Sequence, residues 1–201
     1  MTSRYFIPGA TTIGVVFKDG VILASEKRYA YGYFVLSRSV KKVFKITDTI
    51  GAACAGLVSD MQSIIQEVRA NMKLHEFETG RPCSVRAVAK LTSQLLFYRR
   101  LFPLLTQTLV AGVDDEGPSL YVLDPLGSVI KDDYAVVGSG SEISIGVLEA
   151  EYKPGMSVED SRNLVVKSMR AAMARDAASG DGIDILTITT EKSWEEYIPV
   201  R

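Results

Sequence analysis

The order of the predicted strands and helices is the feature that most limits what this chain can fold into. Apolar, β-rich runs reach to Gly56 and are followed by two amphipathic helices; strands then resume near Thr108, and two more helices precede a last strand over residues 183–190. Strands and helices therefore alternate in blocks rather than singly, which disfavours a parallel βαβ sheet. We predict an α+β fold in which two stacked antiparallel sheets are each covered by a helix pair.

Turn and capping residues support these elements. Asp19-Gly20 between two apolar runs predicts a β-hairpin. Ser59 or Asp60 can cap the first helix, and Ser84 can cap the second. Residues 157–160 resemble a capping box at the start of the fourth helix. The chain shows no repeat and no domain linker, so we expect one domain.

The composition excludes several classes of protein. The chain has 201 residues, 47% of them hydrophobic, and a net charge of -1. A chain of this kind folds, and its charge does not indicate a nucleic-acid partner. No apolar run approaches the roughly 18 residues that a membrane span needs, so we expect no membrane partner. Cys54 and Cys83 are too few for a disulfide framework, which favours reduced thiols and a cytoplasmic protein.

A junction of small residues lies near the start of the chain. Gly9-Ala10 is followed by Thr11, Thr12 and a strand-like apolar run, whereas residues 1–9 have no strand or turn pattern. The first residues are too short and too mixed for a secretory signal. We therefore predict a pro-segment over residues 1–9, a cleavage site between Gly9 and Ala10, and a single domain over residues 10–201.

A new N-terminus at the head of a buried strand is the arrangement of an N-terminal nucleophile hydrolase. In such an enzyme the first residue supplies the nucleophilic side chain, and its free α-amine is the base. The single histidine, His75, lies on a polar stretch of a predicted helix, so a Ser-His-Asp or Cys-His mechanism is disfavoured. Ala10, however, has no nucleophile, and we expect this copy to be inactive.

Other polar residues have an ordinary interpretation when each is taken alone. Lys42 beside Lys41 suits a solvated strand edge, and Glu26 suits a turn. Residues 138–141, GSGS, suit a strand-to-helix turn; they could also cradle a phosphate or present the Ser139 hydroxyl to a catalytic centre. Asp176 follows a helix end, where the macrodipole disfavours an acid, so we expect a compensating partner.

Six blocks taken together resemble the β subunit of the proteasome core particle in its archaeal form, over essentially the whole chain. The blocks are GATTIG at 9–14, EKR at 26–28, KKVF at 41–44, AGLVSD at 55–60, GSGS at 138–141 and RDAASGDGID at 175–184. The resemblance implies a four-layer αββα sandwich with the N-terminal nucleophile hydrolase fold. It also implies ATP-dependent protein degradation by a threonine-type endopeptidase.

The resemblance assigns roles to individual residues. It implies a nucleophile at position 10, a lysine that lowers the pKa of the N-terminal amine, a carboxylate that anchors this lysine, an oxyanion-binding N–H, and three residues that orient the amine. The corresponding positions here are Ala10, Lys42, Glu26, Gly56, Ser139, Asp176 and Ser179. An aspartate is commoner in the family where this chain has Glu26. Tyr29, Ala30, Cys54 and Val58 match substrate-binding positions, and their apolar character suggests cleavage after hydrophobic residues.

The resemblance also implies partners. It predicts stacked heptameric rings that contain α subunits and other β subunits, unfolded proteins as substrates, and a regulatory ATPase at the particle ends. It implies no cofactor and no metal. A zinc site is also disfavoured by the residues themselves, since there is one histidine and no cysteine pair at ligand spacing.

Two consequences follow from Ala10. Self-cleavage should fail, so the leader should stay attached, and Ala10 could not attack a peptide carbonyl. Thr11 is a poor substitute because a shift of one residue moves a side chain to the other face of its strand. An engineered Thr→Ala change is favoured over a naturally non-catalytic ring subunit, because Lys42 and Asp176 are still present. A hydrolase of small amides is a third alternative.

Overall fold

Two five-stranded antiparallel sheets form the centre of the structure, a computed structural model that describes residues 9–32 and 34–200. The strands are β1 (Thr11–Phe17), β2 (Gly20–Glu26), β3 (Tyr29–Tyr31), β4 (Phe34–Ser37), β5 (Val43–Lys45), β6 (Ile50–Gly56), β7 (Thr106–Asp114), β8 (Gly117–Leu123), β9 (Ile130–Asp132), β10 (Tyr134–Gly138), β11 (Ile183–Thr189) and β12 (Ser193–Ile198). The helices are α1 (Val58–Thr79), α2 (Val85–Tyr98), α3 (Ser141–Glu151) and α4 (Val158–Met173).

Each sheet contains strands from both halves of the chain. The first sheet has the order β10-β1-β2-β11-β12, and the second has the order β5-β6-β7-β8-β9. Strands β3 and β4 form a separate two-stranded ribbon. The predicted first hairpin forms: Phe17 pairs with Gly20, and Lys18 and Asp19 make the turn between them. Because β1 lies between β10 and β2, the first strand of the described chain is paired on both sides.

Three apolar clusters define four layers. One cluster lies between the two sheets and includes Leu23, Leu109 and Leu120. A second packs α1 and α2 onto the second sheet, and a third packs α3 and α4 onto the first. The αββα architecture predicted from the sequence is therefore confirmed.

The helix starts match the sequence prediction at two of three positions. Ser84 accepts a hydrogen bond from the N–H of Ala87 at 3.2 Å, and Ser157 accepts one from Asp160 at 3.1 Å. The expected cap of α1 by Ser59 or Asp60 is wrong, because the helix begins at Val58, and the residue before it, Leu57, provides no side-chain cap. The Asp60 carboxylate instead accepts the N–H of Leu105 at 2.7 Å, which fastens α1 to the chain entering β7.

Strand β12 lies in the tail for which the sequence predicted no strand. Its adjacent residues Glu195 and Glu196 interrupt the alternation of apolar and polar residues that marks a half-buried strand. The structure resolves this through charge, since Arg162 of α4 donates to both carboxylate oxygens of Glu196, at 2.7 and 2.8 Å. A strand at a sheet edge can carry such charged residues.

Two further findings concern the predicted pro-segment and membrane-spanning helices. The predicted pro-segment lies outside the described residues except for Gly9. Within residues 9–32 and 34–200, no helix combines the length and the apolar character that crossing a membrane requires.

Candidate active site

Ala10 lies at the head of β1 and is completely buried. Its N–H donates to the Ser139 hydroxyl oxygen at 3.1 Å, and its carbonyl oxygen accepts the N–H of Gly140 at 3.3 Å. The turn between β10 and α3 thus holds both backbone polar groups of residue 10. Gly138 permits this contact, because its φ is 100° and a Cβ there would lie 2.1 Å from the Ala10 oxygen.

Asp176, just beyond α4, organises the hydroxyl groups beside Ala10. Its Oδ2 accepts hydrogen bonds from the Ser139 and Ser179 hydroxyls, both at 2.6 Å, and its Oδ1 accepts the N–H of Ala178 at 3.0 Å. Because the Ser139 proton is directed at Asp176, the Ser139 oxygen presents a lone pair to the N–H of Ala10. These donors compensate an acid placed next to a helix C-terminus.

Lys42 and Glu26 form a buried ion pair, with side chains 1% and 0% exposed. The Lys42 ammonium donates to Glu26 Oε1 and, at 2.6 Å, to the carbonyl oxygen of Arg28. Glu26 Oε2 accepts the N–H of Arg28 at 2.6 Å and that of Gly180 at 3.2 Å. The longer arm of glutamate therefore reaches both the lysine and two backbone donors.

Burial shifts the pKa values of Glu26 and Lys42 in opposite directions. Loss of hydration raises the pKa of the Glu26 carboxyl, and the attraction of Lys42 and the backbone donors opposes that rise. Burial likewise lowers the pKa of the Lys42 ammonium, and Glu26 opposes that fall. An ammonium group with a lowered pKa is suited to proton transfer at a functional site.

Thr11 joins the two polar clusters, and the sequence prediction missed it. Its hydroxyl oxygen lies 2.7 Å from the Ser179 hydroxyl oxygen, and its N–H donates to Glu26 Oε1 at 3.4 Å. The hydroxyl thus contacts the Asp176 network, whereas the Lys42 ammonium contacts Glu26 and Arg28. The available signal in the sequence was its position next to Ala10 in the GATTIG block.

Arg28 is a second residue whose role the sequence did not reveal, although it lies in the EKR block. Its Nε donates to Asp181 Oδ2 at 2.7 Å, and its Nη1 donates to the Ala177 carbonyl at 2.9 Å. Asp181 has a φ of 69°, which is uncommon for a residue with a side chain. Arg28 therefore holds the loop that carries Asp176 and Ser179 against the Glu26 turn.

Gly56 ends β6 beside the same site. Its φ is 134°, and a Cβ at this position would lie 2.1 Å from the carbonyl oxygen of Leu105. The hypothetical Cβ of Gly138 would lie 3.1 Å from Ala55 Cβ, so the end of β6 is adjacent to the turn around Ala10. Glycine is required here because only glycine adopts this backbone conformation without strain.

A cavity of about 290 Å³ opens at this point. Its walls include Ser139 and Gly138 on one side, Gly56 and Gln107 on the other, and Gly9. Gly9 is also tightly confined, because a Cβ there would lie 2.2 Å from Ala178 Cβ and 2.6 Å from the Ser139 oxygen. A residue with a side chain would therefore not fit at position 9 without a shift of Ala178 or Ser139.

The four predicted substrate-binding residues belong to three different elements, and their role stays a prediction. Tyr29 and Ala30 belong to β3, and Val58 is the first residue of α1. Cys54 is fully buried, its sulfur lies 3.7 Å from the Thr108 hydroxyl, and burial raises the pKa of the thiol to about 12. None of the four lines the cavity beside Ser139.

Comparisons with known proteins identify one family. A family model described as "Proteasome subunit" matches residues 8–188. The chain is 48% identical to "Proteasome subunit beta 1" of Nitrosopumilus maritimus over 194 residues, which is 95% of this chain and 98% of the relative.

Two further relatives are similar over almost their whole length. The chain is 49% identical to "Proteasome subunit beta 1" of Cenarchaeum symbiosum, covering 90% of this chain and 94% of the relative. It is 45% identical to "Proteasome subunit beta 2" of Pyrobaculum calidifontis, with 96% and 95% coverage. All three relatives carry the name of a β-type subunit.

Proposed function

The chain belongs to the proteasome subunit family, and from this premise we propose that it is a β subunit of the core particle with a threonine-type peptidase site that Ala10 keeps inactive. In this proposal residues 1–9 form a pro-segment that stays attached, and residues 10–201 form the single domain that carries the site. The activity of the particle is the degradation of proteins in the cytoplasm.

The observation that carries the proposal is the hydrogen bond from the Ala10 N–H to Ser139, whose hydroxyl is in turn bound by Asp176. The backbone nitrogen of residue 10 is held by Ser139, which is oriented by Asp176. The buried pair of Lys42 and Glu26 contacts the next residue of β1, because Glu26 accepts the N–H of Thr11. Such an arrangement has a chemical use once the nitrogen is a free amine.

With threonine at position 10, the geometry supports catalysis by the chain's own terminus. A free α-amine has a pKa of about 8, and a nearby ammonium such as Lys42 lowers it, so the neutral amine can act as a base. The amine accepts the proton of the threonine hydroxyl while the hydroxyl oxygen attacks the substrate carbonyl. The N–H of Gly56 is the donor proposed to stabilise the resulting oxyanion.

The second half of the reaction returns the proton. The protonated amine donates to the leaving nitrogen as the peptide C–N bond breaks, which leaves an ester between the threonine oxygen and the acyl part. Water, deprotonated by the same amine, then cleaves this ester and regenerates the hydroxyl. Ser139, Asp176 and Ser179 hold the amine in place through each transfer, and so they supply orientation.

Ala10 removes the first step. Its side chain has no hydroxyl to attack either the Gly9 carbonyl of its own chain or a substrate. A naturally non-catalytic ring subunit is the second candidate, and the alanine itself favours it. The intact contacts of Asp176 with Ser139 and Ser179 support the first candidate, since a subunit without catalysis has less need of them.

The proposed partners follow from the family. Assembly in a proteasome complex is a property of the family to which the chain belongs. We propose that the assembly consists of stacked heptameric rings with α subunits and other β subunits. Its substrates are unfolded proteins, and a regulatory ATPase delivers them at the particle ends.

The proposal is tested with the Ala10→Thr variant assembled with α subunits. We expect the intact mass to fall by the mass of residues 1–9, and we expect the particle to hydrolyse a peptide with a hydrophobic residue before the scissile bond. The matched control is Ala10→Val, which has nearly the shape of threonine but lacks the hydroxyl. It should assemble, keep its leader and show no hydrolysis.

A retained leader and no hydrolysis in an assembled Ala10→Thr particle would contradict the peptidase proposal and support the non-catalytic subunit. Hydrolysis of a small amide by unassembled Ala10→Thr chain would support the third alternative. Loss of the leader in Ala10→Val would show that cleavage does not require the hydroxyl at position 10.

A further inference from the structure

One exposed side chain connects the two sheets at the end of the sandwich where the candidate site lies. The side-chain carbonyl oxygen of Gln107, at the start of β7, accepts the N–H of Gly138 at 2.9 Å. Gln107 belongs to the second sheet and Gly138 to the first. No motif in the sequence singled out this glutamine.

The strand registers show what this hydrogen bond connects. On the second sheet, Gln107 pairs with Ala55, directly beside the pair of Thr106 and Gly56. On the first sheet, Gly138 pairs with Thr11. Gln107 therefore ties the strand end that carries the proposed oxyanion donor to the strand end that precedes Ser139.

We propose that Gln107 is a positioning residue that fixes the turn around residue 10. The inference rests on the proposed function and names a residue through which the same site is ordered. The turn after Gly138 carries the Ser139 hydroxyl and the Gly140 N–H, both of which contact residue 10. Holding Gly138 from the opposite sheet keeps these donors and acceptors at a constant distance from the amine.

The position of β10 explains why an extra tie is needed. β10 is an edge strand of the first sheet, so it has a neighbouring strand on one side. A second cross-sheet hydrogen bond, from the Thr12 hydroxyl to the Cys54 carbonyl at 3.0 Å, joins β1 and β6, each of which has a neighbouring strand on both sides. Gln107 supplies the corresponding tie at the edge, beside the open cavity that it also lines.

Hydrogen exchange tests the tie in the chain as it stands. In Gln107→Leu, which keeps the size of the side chain without its acceptor, we expect faster amide exchange in a peptide spanning residues 134–144. Gln107→Glu keeps an acceptor oxygen and should retain the protection. Gln66→Leu, at an exposed position of α1, is the matched control and should not change exchange in this peptide. Unchanged exchange in Gln107→Leu would overturn the inference.

Kinetics in the Ala10→Thr particle test the consequence for catalysis. We expect Gln107→Leu to lower kcat about tenfold, the effect of losing one ordering hydrogen bond, with little change in KM. Gln107→Glu should restore most of kcat, whereas a merely structural role would not distinguish Leu from Glu in this way. Equal kcat values for Ala10→Thr with and without Gln107→Leu would also overturn the inference. An inactive Ala10→Thr particle would instead contradict the proposed function, and the exchange experiment would still decide the role of Gln107.

Discussion

The backbone nitrogen of Ala10 donates a hydrogen bond to the hydroxyl of Ser139 at 3.1 Å, although the two residues are 129 positions apart in the chain. The contact exists because β1 and β10 are neighbours, with Thr11 opposite Gly138. It directs the nitrogen of residue 10 towards a carboxylate-oriented hydroxyl. The first prediction follows from this contact.

Ser139→Ala in the Ala10→Thr particle should lower kcat by about 10- to 100-fold, because the amine loses the group that orients it. The Ser139 oxygen accepts a hydrogen bond from the amine and therefore favours its protonated form, so its removal should lower the pKa of the amine. The acidic limb of the kcat profile should then move to lower pH. Rates measured from pH 5 to 9 check both effects.

The exposed residue Ser63 of α1 provides the control for that variant. Ser63→Ala should leave the rate and the pH profile unchanged. An unaltered profile in Ser139→Ala would show that this hydroxyl does not contact the amine in the working enzyme.

Breaking the buried pair should destabilise the chain strongly. Lys42→Met leaves the Glu26 carboxylate buried without its cation, and we expect the free energy of unfolding to fall by about 3–5 kcal/mol. Lys42→Met combined with Glu26→Gln removes both charges and should recover more than half of that loss. Urea unfolding of the unassembled chain, followed by the fluorescence of its single tryptophan, Trp194, measures both. A double variant as unstable as Lys42→Met would contradict the pairing as the source of the loss.

Gly56→Ala should be far more costly than alanine at another glycine with a positive φ. Gly155 has a φ of 77° and open space around a hypothetical Cβ, so Gly155→Ala should cost about 1 kcal/mol from backbone conformation alone. At Gly56 the Cβ also meets the Leu105 carbonyl, and we expect a loss of more than about 3 kcal/mol. The difference between the two variants in urea unfolding isolates the steric contribution. Similar values would mean that the chain near Leu105 moves aside.

The buried thiol of Cys54 should make stability depend on alkaline pH. Its pKa is raised from 9.0 to about 12 in the folded chain by burial. The folded state therefore binds more protons than the unfolded state between these values, and the stabilisation is complete below pH 9 and is lost as the pH rises towards 12. From pH 9 to pH 10 the loss should be about 1 kcal/mol.

Cys54→Ala isolates this contribution, since every other titrating group is retained. The difference in free energy of unfolding between the parent chain and Cys54→Ala should shrink by about 1 kcal/mol over that interval. A difference that stays constant with pH would show that the thiol ionises equally in the folded and unfolded states.

Much of the fold could be predicted because local patterns agreed with the tertiary structure. The Asp19-Gly20 turn and the caps at Ser84 and Ser157 act over a few residues, so the sequence displays them directly. Strand β12 was missed because its glutamates are paired with cations far along the chain, Glu196 with Arg162 of α4 and Glu195 with Lys41. The start of α1 was misplaced for a similar reason, since Asp60 is engaged by Leu105 rather than by the helix.

The sequence by itself determined that residue 10 has no nucleophilic side chain. The side chain of Ala10 has no oxygen, and no arrangement of other residues can give this position a nucleophile. The sequence also determined the block order of strands and helices, because periodic burial is a local property of each segment.

Only the tertiary structure decided which polar groups meet. Thr11, Arg28 and Gln107 are ordinary residues in the sequence, and each acquires a role from a partner far along the chain: Ser179, Asp181 and Gly138. The packing of the two sheets sets these distances. A hydrogen bond depends on tenths of an ångström in three dimensions, and sequence spacing alone does not specify them.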